Sequence, residues 1–251
     1  MEWALLQTAN PKLQTPNFPL RLLLLSNSAS DAGYLVHATE WLRDFLGQDV
    51  RRLLFVPYAG VTFSWDDYAG RVREALAPMG YDVDAIHEAD DPVRAVGEAE
   101  AVAVGGGNTF RLVERLHRLG VMEAIRARVR AGAPYVGWSA GSNVACPTLR
   151  TTNDMPVIEP PSFETLGLVP FQINPHYTDA HPPGHRGETR AERLAEFTTL
   201  NPDVPVVGLP EGTALRREGG RLERLGPHPI RLFHGAAAPR EVAETDVSFL
   251  L

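Results

Sequence analysis

From Leu20 onward the chain alternates short apolar runs with amphipathic segments, and this alternation constrains the fold of its 251 residues more than any other feature. LRLLLLSNS (20–28), RRLLFVPYAG (51–60), YDVDAIHEA (81–89), EAVAVGGGN (100–108) and APYVGWSAG (133–141) each carry a run of buried-strand length. Helical patterns stand between them. HATEWLRDFLG (37–47) is one, and WDDYAGRVREALAPMG (65–80) is another, with acidic residues in its first turn and a glycine stop. A short helix precedes Glu100, and FRLVERLHRLG and VMEAIRARVRAG read as consecutive helices after the glycines. Strands separated by helical patterns of about 10–15 residues predict a parallel sheet with helices on both faces. Ligands of such sheets bind in the loops beyond the carboxyl ends of the strands.

The second half is less regular. ERLAEFTTL (192–200) predicts a helix, VPVVGLPEG (204–212) a strand and turn, and ALRREGGRLERLG (214–226) a hairpin on a Gly-Gly turn. No internal repeat, charge block or low-complexity linker appears, so residues 19–251 read as a single domain. Residues 1–18 read as a polar N-terminal extension, with disorder expected there.

Charge and cysteine content narrow the partners. A net charge of −7 lacks the basic footprint that nucleic acid or an anionic membrane surface requires. One cysteine makes neither an internal disulfide nor a cysteine-based zinc site, which suits a reducing compartment. Glu2 stands where a signal peptide carries basic residues, and no apolar run approaches the roughly 18 residues of a membrane span. The expectation is a cytoplasmic protein, monomer or homodimer.

The strongest local chemical pattern is Gly137-Trp138-Ser139-Ala140-Gly141. Small residues at the end of a buried strand let a serine project from a sharp bend above the sheet. The N–H of Ala140 then opens a helix and points at a developing oxyanion. The bland reading is a Gly-Ser-rich strand–helix turn without chemistry. Gly105-Gly106-Gly107-Asn108 is a second turn of this kind. It fits no phosphate-loop spacing and no lysine follows, so nucleotide binding is not expected. Close backbone approach is the better reading, with a Gly106 or Gly107 N–H as the second oxyanion donor, against a merely tight turn.

A serine nucleophile needs a base, and His176 in QINPHYTDA (172–180) follows a predicted strand. His176, His181 and His185 also raise the question of metal. Their spacing falls in a Pro-Pro-Gly loop that fixes no ligand face, so an imidazole base for Ser139 is preferred and no metal or organic cofactor is expected. Two acids are candidates to orient that histidine. Asp154 follows Ser139 by only 15 positions, and Glu211 sits in GLPEG just past a later buried strand.

The stretches PYAGVTFSWDDYAG, VGGGNTFRL, YVGWSAGSNVACPTLRTTNDMP, QINPHYTDAHPPGHRGETR and VVGLPEG together resemble the peptidase E family of α-aspartyl dipeptidases, from Leu20 to about residue 235. The resemblance implies a three-layer α/β/α sandwich with a mostly parallel sheet, related to class I glutamine amidotransferases. It implies Ser139 as nucleophile, His176 as general base, and two acids offered for the third place. Glu211 is favoured as orienter of His176, with Asp154 a nearby structural or electrostatic participant. It also implies cleavage of a small acidic dipeptide with an N-terminal aspartate, Arg190 in GETR clamping that side chain through paired charge-assisted bonds. Asn108 is counted with the substrate-binding residues. The segment 176–190 is a candidate wall of a small closed pocket.

Competing readings remain. An α/β-hydrolase esterase shares G-x-S-x-G, but its histidine comes far downstream of its acid, whereas Ser139, Asp154 and His176 fall within 38 residues here. A glutaminase would place cysteine at position 139. A cyanophycinase-like peptidase of the same fold, a relative lacking Asp-X activity, and a non-enzymatic small-ligand binder with an idle serine complete the set.

Overall fold

The computed structural model describes residues 19–180, 184 and 186–251. The extension 1–18, and His181 and His185 of the candidate metal cluster, lie outside the described residues. In chain order the elements are β1 (Arg21–Leu25), β2 (Ala29–Ser30), β3 (Gly33–Tyr34), α1 (Thr39–Leu46), β4 (Arg52–Val56), α2 (Trp65–Leu76), β5 (Asp82–Ala85) and α3 (Pro92–Glu98). They continue with β6 (Ala101–Val104), α4 (Thr109–Arg118), α5 (Val121–Arg130), β7 (Tyr135–Trp138), α6 (Ala140–Asn143), β8 (Gln172–Pro175) and α7 (Arg190–Leu200). Last come β9 (Val206–Leu209), β10 (Ala214–Glu218), β11 (Arg221–Leu225), β12 (Ile230–Phe233) and β13 (Arg240–Val242).

Seven strands form the main sheet in the order β11-β10-β1-β7-β6-β4-β5. The pairings from β1 through β7, β6 and β4 to β5 are parallel, and the β10–β11 hairpin extends the sheet antiparallel to β1. Strand periodicity divides the core between the two faces. Leu22, Leu24, Val102 and Val104 pack on one face against Leu112 and Leu116 of α4 and Ile125 of α5. Leu23, Leu25, Phe55 and Trp138 pack on the other against Leu42 and Phe45 of α1 and Val72 of α2. This is the three-layer α/β/α sandwich with a mostly parallel sheet that the sequence predicts. Strands covered on both faces need unbroken apolar runs, and β6 and β7 are buried at every position. The edge strand β5 instead alternates, exposing Asp82 and Asp84, which blunts that edge against pairing with another chain.

A feature absent from the sequence reading is a second sheet, β13-β12-β9-β8, in which β8 and β9 are parallel. The apolar residues Ile173, Val207, Ile230 and Leu232 join the same core as α4 and α5. Its position matters, because β8 ends at Pro175, directly before His176, and β9 ends at Leu209, two residues before Glu211. Two sheets therefore deliver the candidate residues to one place. Among the described residues, no helix is long and apolar enough to cross a membrane.

Candidate active site

Ser139 follows the last residue of β7 and adopts φ 54° and ψ −115°. That backbone lies outside the regions L-residues favour, and such conformations persist where the surrounding structure over-determines them. Here Ser139 N–H donates to the Leu25 carbonyl at 3.1 Å, and its own carbonyl accepts from Ser142 N–H at 2.9 Å and Asn143 N–H at 3.0 Å. The bend lifts the side chain out of the buried strand, leaving Ser139 partly exposed between buried Trp138 and Ala140.

His176 also has a positive φ, 54°. Its N–H donates to Ser26 Oγ at 2.8 Å, and Ser26 Oγ–H donates to the Leu209 carbonyl at 2.8 Å. The His176 carbonyl accepts from Arg190 Nη1. Held at both ends, the ring places Nε2 at 2.9 Å from Ser139 Oγ and Nδ1 at 2.6 Å from Glu211 Oε1. The carboxylate of Glu211 only accepts, so Nδ1 carries the ring proton and Nε2 presents its lone pair to the serine hydroxyl. Glu211 is 63% exposed and the His176 side chain 37%, so the line opens to solvent at its acidic end. Asn27 steadies that end, its Oδ1 accepting from Gly212 N–H at 2.8 Å.

Asp154 does not touch His176. Its Oδ2 accepts from Thr109 N–H at 2.7 Å, Thr109 Oγ1 at 2.6 Å and Thr152 Oγ1 at 3.0 Å, so it ties its loop to the start of α4. An anion there also complements the helix dipole. Asn108 caps the same helix, Oδ1 accepting from Arg111 N–H at 3.0 Å while Nδ2 donates to the Met155 carbonyl at 2.8 Å. Both of its polar atoms are thus engaged within the protein.

Gly106 is buried against the serine: a Cβ there would stand 2.9 Å from Ser139 Cβ and 3.4 Å from Oγ. Among the described residues, no acceptor meets the N–H of Gly106, Gly107 or Ala140. Arg190 begins α7 behind a capping box of Thr189 and Glu192. Arg190 lines a cavity of about 560 Å³ with Asn153, Asp154, Thr178 and Arg193. Burial draws the Arg190 pKa below its ordinary value, opposed by Tyr177.

Sequence reasoning missed the residues that fasten the site. Ser26 and Asn27 stand at the end of β1, where an apolar run followed by SNS reads only as a strand end. Asn153 and Asn174 are others: Asn174 Nδ2 donates to Asn153 Oδ1 at 2.7 Å, and Asn153 Nδ2 donates to the Pro175 carbonyl at 2.8 Å, beside His176.

Known proteins bear on this geometry. Residues 22–225 match the model of peptidase family S51. The chain is 56% identical over 235 residues to peptidase E of Streptomyces coelicolor (strain ATCC BAA-471 / A3(2) / M145), covering 92% of this chain and 95% of that one. It is 50% identical over 233 residues to peptidase E of Nostoc sp. (strain PCC 7120 / SAG 25.82 / UTEX 2576), covering 92% and 96%. A crystal structure of a peptidase from an acI-B1 Actinobacterium shares the fold, with TM-score 0.67 and 18% identity over 93% of this chain and 98% of that one. On the matched span and these identities, the chain belongs to peptidase family S51 and is a serine-type peptidase.

Proposed function

We propose that the protein is an aspartyl dipeptidase, hydrolysing Asp-X through an acyl-enzyme on Ser139. The observation that carries the reading is the continuous line from Ser139 Oγ to His176 Nε2 at 2.9 Å and from His176 Nδ1 to Glu211 at 2.6 Å. Ser139 Oγ attacks the peptide carbonyl while its proton passes to His176 Nε2, and Glu211 stabilises the imidazolium that forms. The tetrahedral oxyanion accepts from Ala140 N–H and a glycine N–H of the 106–107 turn, each donor supplying about 3–4 kcal/mol. His176 then gives its proton to the leaving nitrogen, the C–N bond breaks and amino acid X departs. Water, deprotonated by the same imidazole, attacks the ester, and aspartate leaves as Ser139 regains its proton.

The carboxylate preference is supported by one positioned guanidinium. Arg190 is partly desolvated, bonded to the His176 carbonyl and one of the residues that line the adjoining cavity. An Arg fork there has further N–H groups for a substrate carboxylate. Glu211 takes the orienting role in this reading, and Asp154 the structural one. A panel of Asp-X, Glu-X, Asn-X and Ala-X dipeptides tests the proposal. Cleavage confined to Asp-X is expected, and equal turnover of Asn-X or Ala-X would overturn the specificity.

A further inference from the structure

The three glycines of the 105–107 turn each leave room for a different neighbour. A Cβ at Gly105 would stand 2.6 Å from the Tyr68 hydroxyl, one at Gly106 would press on Ser139, and one at Gly107 would lie 2.4 Å from the Ala59 carbonyl oxygen. Gly107 also has φ 130°, which L side chains rarely adopt. The turn is thus wedged between a buried phenol, the nucleophile and the strand-end loop after β4.

Tyr68 reaches this turn from α2 and is 3% exposed. Its hydroxyl lies 3.1 Å from the Gly106 carbonyl oxygen, 3.0 Å from Trp138 Nε1 and 3.4 Å from the Tyr34 hydroxyl. The direction of the proton follows from the partners. An indole N–H only donates and a carbonyl only accepts, so Tyr68 accepts from Trp138 and donates to Gly106. Burial raises the Tyr68 pKa, which keeps the phenol protonated as that donor requires. Trp138 immediately precedes the nucleophile, so one hydroxyl joins the strand carrying Ser139 to the carbonyl of the glycine turn.

A trans peptide unit is planar, with its C=O and the following N–H pointing in opposite directions. With the Gly106 carbonyl drawn inward to Tyr68, the Gly107 N–H turns outward, and Gly107 is the exposed member of the turn. We infer that Tyr68 is a positioning residue that sets the Gly106–Gly107 peptide so that Gly107 N–H, with Ala140 N–H, meets the oxyanion formed at Ser139. The inference rests on Ser139 being the nucleophile and is independent of aspartate preference.

Acylation of the full-length enzyme by p-nitrophenyl acetate reads this without an aspartyl substrate. Tyr68→Phe keeps the ring and loses the clamp, so acylation should slow about 10–100-fold while KM stays within about two-fold. Tyr81→Phe is the structural control. It removes a part-buried tyrosine bond, from Tyr81 Oη to the Gly47 carbonyl at 3.0 Å, and should lower Tm without slowing acylation. A Tyr68→Phe rate within about two-fold of wild type, or a loss matched by Tyr81→Phe, would overturn the inference alone. Acylation that persists in Ser139→Ala would instead overturn the nucleophile assignment, and the inference with it.

Discussion

The hydroxyl of Ser26 accepts the backbone N–H of His176 at 2.8 Å across 150 positions of sequence. It bridges the two sheets, because Ser26 directly follows β1 of the main sheet and donates on to Leu209 at the end of β9. Ser26 is fully buried. Ser26→Ala leaves the His176 N–H without its acceptor, removes one of the two donors to the Leu209 carbonyl (Tyr177 N–H remains at 3.0 Å) and frees the His176 backbone to relax from its positive φ. We predict a stability loss of about 1–3 kcal/mol in denaturant titration. The kcat for dipeptide hydrolysis should fall about 10–100-fold through misplacement of the ring.

Glu211→Gln and Asp154→Asn separate the two acids. The amide at 211 can present its N–H₂ to His176 and favour the wrong tautomer, so kcat should drop at least 100-fold with the fold intact. Asp154→Asn instead weakens two bonds to Thr109 at the start of α4 and one to Thr152 within its own loop. It should lower stability by about 1–2 kcal/mol and change kcat much less than Glu211→Gln. A reversed order in steady-state assays would exchange their roles.

Arg190→Met removes the guanidinium bonded to the His176 carbonyl and changes the lining of the cavity. Loss of a charge-assisted contact of about 1.5–3 kcal/mol should lower kcat/KM for Asp-X about 10–100-fold. Discrimination between Asp-X and Asn-X should collapse as well, since the neutral analogue gains nothing from the charge. Unchanged discrimination would remove Arg190 from substrate recognition.

His37 gives the stability curve a defined sign. Burial lowers its pKa from 6.5, against weaker opposing effects of the Asn27 backbone and the Glu211 carboxylate. The unfolded chain therefore binds a proton at higher pH than the folded one. Its contribution to stability is complete above the unfolded value of 6.5 and falls as pH drops below it, levelling once the folded imidazole also protonates. Tm measured against pH should decline less steeply below 6.5 in His37→Asn than in the parent chain, and identical slopes would exclude the residue as the source.

Much of this was legible in the sequence. The parallel strands β1, β4, β6 and β7 carry apolar runs that need no partner to be recognised, and Ser139 directly follows one of them, while His176 follows the extended segment QINP. The residues alone do not separate the third member, because Glu211 and Asp154 are both acids in Gly- or Thr-rich turns; the family resemblance favours Glu211, and the path of β8 and β9 brings it to the imidazole. Strands β12 and β13 were invisible, since Ile230–Phe233 and Arg240–Val242 are short and acquire their burial from long-range packing. Tyr68 reads from sequence as one more core position on an amphipathic helix, and its hydroxyl gains meaning only when the 105–107 turn arrives beside it.

The most direct test compares kcat/KM for an Asp-X dipeptide between the parent enzyme and Ser139→Ala at matched Tm. Removing the nucleophile should lower it by about three to six orders of magnitude. Turnover within about ten-fold of the parent would contradict the account at its centre.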